Sequence, residues 1–552
     1  MTFNPSSTIY LCNVPIDNTY KNQIYFASKD SQWVYFTSKD VKPFANYLTV
    51  RKTLADGSLQ SSVKVDANIE TLYGYNYMYY QNANHGTRWF YAFITKLIYI
   101  NEGTTEIVFE TDVWQTWFKD IEILESFVER EHSETDEVGD NLIPESFNPK
   151  IFEYTHLKAI ESNSGHGYLV GCSENSKPKS WWTETFGGVE IEGAEYSGVY
   201  QGAYFFFFYN VNNLNSFLEY MQAENDDCIL FITVIPMWVV ENSIKGINFG
   251  DYKAPENPTE GRVTGSTKPF LKNVDITTNY LTHKFGMENG VKNNKMYTAP
   301  FMSLVITNNS DTEKVYNLED FTDGNLVSFT ICGDVCANPS VMAYPKNYKG
   351  VLENFKHGVS ITEYPQCSFN TDTYKLWLNK NKASLKKDIA SGLFLIGSAA
   401  SAYLTGGASL GAIGATASFG ANLIGNTICK TEQASHEAND VSQGSTSNNL
   451  LTGLGENTLR AYLRTIRKDE AESIDNYFTM YGYQTNKLKI PNLWKRKCFN
   501  YVKTIDVNIV GGIPHDDLQQ IRAMFNNGVT FWKSTATVGD YTVDNSPMQL
   551  DG

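Results

Sequence analysis

KLIYINEGTTEIVFETDVW, residues 96–114, decides the fold class. Ile98 and Ile100 alternate with polar neighbours, Asn101, Glu102 and Gly103 supply turn chemistry, and Ile107 and Phe109 resume the period of two, which predicts a β-hairpin. Short apolar-aromatic runs broken by Asn, Asp, Gly and Ser fill the rest of residues 1–150 in the same style. The pattern continues through 151–380, where GAYFFFFYN (202–210) and CILFITVIPMWVV (228–240) are continuous apolar runs too short to span a bilayer. Pro236 interrupts the second run, so buried strands, or a strand followed by a turn, are expected there. The predicted class is mainly β with a few helices.

Composition agrees. Of 552 residues, 34 are Tyr and 32 are Phe while only 19% are charged, a balance that favours sheets and broad interfaces over disorder. The length gives room for roughly three or four domains. Lys and Arg number 45 against 61 Asp and Glu, a net charge of −16, which argues against a cationic surface gripping nucleic acid. An acidic channel wall would keep a passing duplex from adhering; ordinary solubility explains the charge equally simply. Eight scattered cysteines and an N-terminus without basic and apolar regions predict cytosolic synthesis with reduced thiols.

The composition changes at about residue 380. KLWLNKNKASLKK (375–387) leads into a stretch, 389–429, that contains no ionisable acid or base. Gly, Ala, Ser and Thr make up 25 of its residues, and among them stand Leu393, Phe394, Leu395, Ile396, Tyr403, Leu404, Leu410, Ile413, Phe419, Leu423, Ile424 and Ile428. These twelve are the candidate membrane-active side chains. Gly406 and Gly407 form a candidate hinge between arms that, as helices, would extend roughly 26 and 33 Å, each close to a hydrocarbon thickness of about 30 Å. Small residues at Gly407 and Gly411, and at Ala408 and Ala412, would let such helices pack closely in lipid. The Gly content disfavours a permanent anchor and predicts a segment sheltered until use. The competing reading is a buried Gly-rich helix pair inside a globular domain.

Lys380, Lys382, Lys386 and Lys387 would meet anionic headgroups at roughly 1 kcal/mol each, or form a solvated linker. A polar tract, 431–449, follows, and its His436, beside Glu432 and Glu437, reads as an exposed loop rather than a pH sensor. TLRAYLRTIRKDEAESI (458–474) predicts an amphipathic helix with Leu459, Leu463 and Ile466 on one face. In PHDDLQQIRAMFNNG (514–528), acids in the first turn, an apolar face of Leu518, Ile521 and Phe525, and Gly528 as the stop predict a second helix.

Catalytic signals are weak. Glu129, Arg130, Glu131 and His132 are dense in charge but have no positioned partner, and read as a solvated or interface network. The pairs Glu134 with Asp136 and Asp226 with Asp227 suit glycoside cleavage only within a cleft, and surface solvation is the simpler account. Cys332 and Cys336 lack a second ligand pair for metal. P-loop, nucleophile elbow, HExxH and paired CxxC motifs are absent, and the Gly-rich stretch near 406–425 lacks the flanks of a dinucleotide site. No enzyme activity, cofactor or metal is predicted.

The blocks VPIDNTYKNQIYF (14–26), WFYAFITKLIYINEGTTEIVFETDVWQTW (89–117), SFVEREHSETDEVGDNLIPE (126–145), IDNYFTMYGYQTNKLKIPNLWKRKCFNYVKT (474–504) and NGVTFW (527–532) carry a family likeness. The chain resembles the tail-knob, or distal tail-tube, proteins of small short-tailed podophages with protein-primed DNA replication. The resemblance implies β-barrel-type tube domains in a homo-hexameric ring at the distal end of the virion tail. Its implied partners are the lower collar or connector proteins, the host cell membrane, and viral DNA passing through the lumen without specific binding. It further implies a hydrophobic loop, here 389–429, that plugs the tube and then penetrates the membrane during genome ejection.

On this reading 1–150 and 456–552 build one tube domain, 151–380 is a β-rich middle region, and 381–455 is the membrane-active loop with its polar tract. The alternative is a receptor-binding or cell-wall-binding tail appendage whose apolar segment is an oligomer core. A wall-degrading enzyme ranks after both.

Overall fold

The hairpin forms. Strands Trp89–Asn101 and Thr104–Thr111 pair antiparallel around Glu102 and Gly103, and the Gly103 amide donates to Asn101 Oδ1 at 3.0 Å. Ile107 and Phe109 face inward as expected, but the inward face of the first strand differs from the predicted one. A register shift between Ile94 and Lys96 sets Ile94 opposite Phe109 and Leu97 opposite Ile107, so residues three apart point into one core. Ile98 therefore faces away, opposite Glu106, and Ile100 is 42% exposed.

The computed structural model describes residues 7–368 and 458–548 together with Gly444 and Ser445. It leaves out short internal stretches, the longest being 54–58, 83–87, 173–177, 223–228 and 265–269. The chain divides into two compact units. Met1–Lys150, Lys284–Thr298 and Arg467–Gly552 form the first; Ile151–His283 and Ala299–Ile466 form the second.

In the first unit the hairpin lies within a seven-stranded sheet of order Lys42–Tyr47, Ser7–Cys12, Tyr77–Asn82, Trp89–Asn101, Thr104–Thr111, Leu59–Val65 and Val50–Thr53. Both faces of its centre are buried. Tyr77, Tyr79, Tyr91 and Phe93 point into an aromatic core shared with Trp114, Phe525 and Phe531, while Met78, Ala92, Ile9 and Leu11 point into an aliphatic one. Burying each large side chain contributes roughly 1.5–3 kcal/mol. A five-stranded sheet, Asn22–Ile24, Val529–Trp532, Phe499–Asp506, Ser126–Glu131 and Tyr483–Lys489, joins early and late sequence. The predicted C-terminal helix runs His515–Asn527, buries Ile521, Met524 and Phe525, and stops at Gly528, whose φ is +92°.

The helix expected over 458–474 is half wrong. Arg460–Ile466 is a strand between Phe152–Ala159 and Met302–Thr307, and a helix begins only at Lys468, running to Tyr481. Leu459, Ala461, Leu463 and Thr465 are buried in alternation, so the segment also carried a period of two. Two paired neighbours decided the outcome. The second unit holds this strand in a four-stranded sheet, which Glu313–Tyr316 completes. A further antiparallel sheet carries Phe270–Thr277, Leu326–Gly333, Val341–Tyr348, Val351–Glu353 and Val359–Ile361.

Candidate functional site

The apolar runs at 202–210 and 228–240 become strands Tyr204–Phe208 and Ile229–Pro236, flanking His166–Cys172 in a seven-stranded sheet of the second unit. Pro236 ends its strand, and the chain turns through a 3₁₀ helix, Met237–Val239. Every side chain of Tyr204–Phe208 is buried. Helix Val211–Gln222 covers one face with Leu214, Phe217 and Met221, and the buried Glu260 carboxylate accepts from the amides of Tyr209, at 2.9 Å, and Asn210 at its N-terminal end.

At one edge of this sheet Ile229–Pro236 pairs with Gln366–Ser368, which in turn pairs with Gly444–Ser445, Gln366 opposite Ser445 and Cys367 opposite Gly444. Residues 369–443 thus depart from and return to adjacent antiparallel strands. The candidate membrane-active side chains Leu393 through Ile428, the hinge Gly406 and Gly407, the four lysines before them and His436 all lie outside the described residues. So do Asp226, Asp227 and Cys336. Among the described residues, no helix is long and apolar enough to cross a membrane.

The Glu129–His132 cluster is interior in large part, which corrects the solvated reading. Strand Ser126–Glu131 is flanked by Tyr483–Lys489 and Phe499–Asp506, so Glu131 and His132 are each only 2% exposed. His132 Nδ1 accepts from the Tyr501 amide at 2.7 Å, and Nε2 lies 3.0 Å from the Thr479 carbonyl, which fixes the neutral Nε2–H tautomer. Burial, reinforced by Arg496 and Arg130, pushes its pKa down to about 3. Glu131 accepts from Lys489 and from the Asn492 amide. Glu145 accepts from Lys295 Nζ at 2.7 Å, from the Gln484 amide at 2.9 Å and from Arg130.

Asp136 is half-buried, taking the Tyr483 hydroxyl and the Asn294 amide, whereas Glu134 lies beside Lys495 with 40% of its side chain exposed. Arg496 Nε donates to the Asn545 carbonyl at 2.7 Å and Nη1 to that of Ser133 at 3.1 Å. These carboxylates are occupied by fixed donors, so the chemistry available is cross-linking: the network ties 126–145 to 292–298 and to the C-terminal segment. Lys295 and Asn293, which the sequence reading missed, sit at a short 3₁₀ turn, Asn294–Tyr297, and carried no periodic signal. Among the described residues, no group of three His, Cys, Asp or Glu is placed to hold a metal ion.

Residues 265–546, just over half of the chain, match the family of the C-terminal domain of the tail knob protein gp9 of Bacillus phage phi29. The chain belongs to this tail knob family. Residues 5–122 also match the N-terminal region of caudoviral major tail proteins. The tail knob proteins gp9 of Bacillus phages B103 and phi29 are each 27% identical to it, with 97% of both chains covered. The tail knob protein gp12 of bacteriophage C1 has the same fold, with a TM-score of 0.60 at 15% identity over 98% of each chain. The protein is thus a structural component of a phage tail.

The blocks that carry the tail knob likeness meet in space. Tyr20 donates its hydroxyl to the Thr111 carbonyl and accepts from the Val113 amide, both at 3.1 Å. Gln115 Nε2 reaches Gln23 Oε1 at 3.1 Å and the Ile24 carbonyl at 2.9 Å, and its own side-chain oxygen accepts from Gln32. Trp117 Nε1 donates to Asp517, and Trp532 Nε1 to Asn22. All of these bonds lie within the first unit.

Proposed function

We propose that this tail knob protein forms a non-enzymatic tube at the distal tail through which the genome leaves, and that residues 389–429 plug the tube and then enter the host membrane. The observation that carries the reading is an uncharged, Gly- and Ala-rich stretch placed between the paired strands Gln366–Ser368 and Gly444–Ser445. A segment that leaves and rejoins the fold at the edge of a sheet can, on this proposal, change surroundings without breaking the sheet behind it. Transfer of its bulky apolar residues to lipid is worth on the order of 10 kcal/mol per copy, and the bias arises only from that difference between the two environments.

Ring assembly as a hexamer, docking to the lower collar or connector, and passage of DNA without specific binding complete the proposal. The net charge of −16 supports the last point, because like-charge repulsion keeps a duplex from the wall.

Liposomes loaded with a self-quenched dye test the reading. The intact protein should release dye, and a variant lacking 389–429 should assemble equally but release none. Equal leakage from both would refute it.

A further inference from the structure

Helix Lys29–Thr37 of the first unit borders a cavity of about 600 Å³ that the tube reading does not use. Lys29, Asp30, Gln32, Trp33, Arg88 and Trp89 contribute to its lining. The Trp33 and Trp89 rings lie 4.7 Å apart at 37°, Tyr79 sets its edge against Trp33 at 6.0 Å, and Trp33 remains 36% exposed. An aromatic wall therefore stands partly uncovered in an otherwise polar opening. The cations are held in place. Arg88 Nη1 is 2.5 Å from Asp120 Oδ2, Lys29 Nζ is 3.2 Å from Asp120 Oδ1, and the Arg88 guanidinium also lies over the Trp117 ring at 4.6 Å. Gln32 is fixed from below by two bonds to Gln115.

The charges determine which ligand fits. Asp30 in the lining and Asp120, which pairs with both cations from outside it, balance Lys29 and Arg88, so neither a phosphate nor an ammonium group meets a net opposite charge. What remains is a flat apolar face beside closely spaced, pre-oriented donors and acceptors. A pyranose ring is complementary to that combination: its axial C–H face is apolar and covers an indole, and its vicinal hydroxyls match the Asp30 carboxylate and the Arg88 guanidinium that line the opening. The volume lies within the range of about 300–1,000 Å³ typical of small-ligand sites.

We propose that this cleft is a binding site for uncharged oligosaccharide of the kind displayed on a cell surface. The site gives the tail knob a sugar contact of its own and does not depend on the fate of residues 389–429.

The test titrates the full chain with maltotriose, cellotriose and chitotriose, and separately with inorganic phosphate, following tryptophan fluorescence and heat. At least one trisaccharide should saturate below about 1 mM, and phosphate should not bind. Trp33→Ala should weaken that binding about tenfold, and Lys29→Gln, a change at an exposed side chain that leaves the fold intact, about threefold. Saturation by none of the three sugars overturns the proposal. So does binding unchanged in both variants, or preference for phosphate.

Discussion

The Tyr77 hydroxyl donates to Asp112 Oδ2 across 2.9 Å at a place where neither side chain reaches solvent. Asp112 is also the N-cap of the short helix Val113–Trp117, accepting from the Gln115 amide at 3.1 Å. Burial raises its carboxyl to about 7, and the Gln115 and Tyr77 bonds offset only part of that. The folded state therefore binds the proton more tightly than the unfolded one. The associated stability is full below pH 4 and is lost as pH rises towards about 7, with a slope approaching about 1.4 kcal/mol per unit. Asp112→Asn keeps an acceptor for the cap and carries no charge. Its stability relative to the parent should be more favourable at pH 8 than at pH 5 by at least about 1 kcal/mol in urea unfolding; a difference that stays constant with pH would show the carboxyl does not titrate there.

His132 works in the opposite direction. Its folded pKa of about 3 lies below the ordinary value of 6.5, so the unfolded state takes up the proton more readily. Stability is present above pH 6.5 and is lost as pH falls towards 3. His132→Gln should cost about 1–3 kcal/mol at pH 8, through the lost bonds to Tyr501 and Thr479, and the gap should close below pH 6 because only the parent loses stability by protonation. Thermal or urea midpoints at four pH values would measure this, and parallel curves would contradict it.

Glu145 has no exposed side-chain surface and faces two cations, Lys295 and Arg130. Burial draws the Lys295 pKa down from its usual value, and the Glu145 carboxylate pulls the other way. Glu145→Gln leaves both cations in the interior without a counter-charge and should cost about 3–5 kcal/mol. Adding Lys295→Met to that variant should recover part of the loss, with a coupling of about 1–3 kcal/mol in the double-mutant cycle. Simple additivity would mean that the three groups do not act as one network.

How far these features were legible follows from the distance over which each one operates. The hairpin and the C-terminal helix were readable because their signals are local: Asn101-Glu102-Gly103 for the turn, and for the helix stop Gly528, where a Cβ would lie 2.1 Å from the Tyr501 hydroxyl. Arg460–Ile466 was misread because one residue pattern satisfied both a helical and a strand period, and the strands that settled the matter, Phe152–Ala159 and Met302–Thr307, lie far away in sequence. The interior placement of Glu131 was invisible for the same reason: Asn492, which donates to it, is 361 positions distant. Side chains that looked solvated were buried by partners that no window of sequence contains.

The paired stem allows an inserted loop to be told from a buried core by experiment. Gln366–Ser368 and Gly444–Ser445 are antiparallel neighbours, so their backbones lie about 5 Å apart and a short linker can join them without moving either strand. Replacing 369–443 by a Gly-Ser linker of about eight residues removes roughly three doublings of loop length and with them about 2 kcal/mol of closure entropy. The shortened chain should keep its unfolding midpoint or raise it, and amide exchange in Ile229–Pro236, the strand behind the stem, should stay as slow as in the parent. Were Leu393 to Ile428 instead the interior of a globular domain, deleting them would remove tens of kcal/mol of burial and the second unit would not fold. A collapse of exchange protection in that strand would therefore defeat the loop assignment on which membrane entry rests.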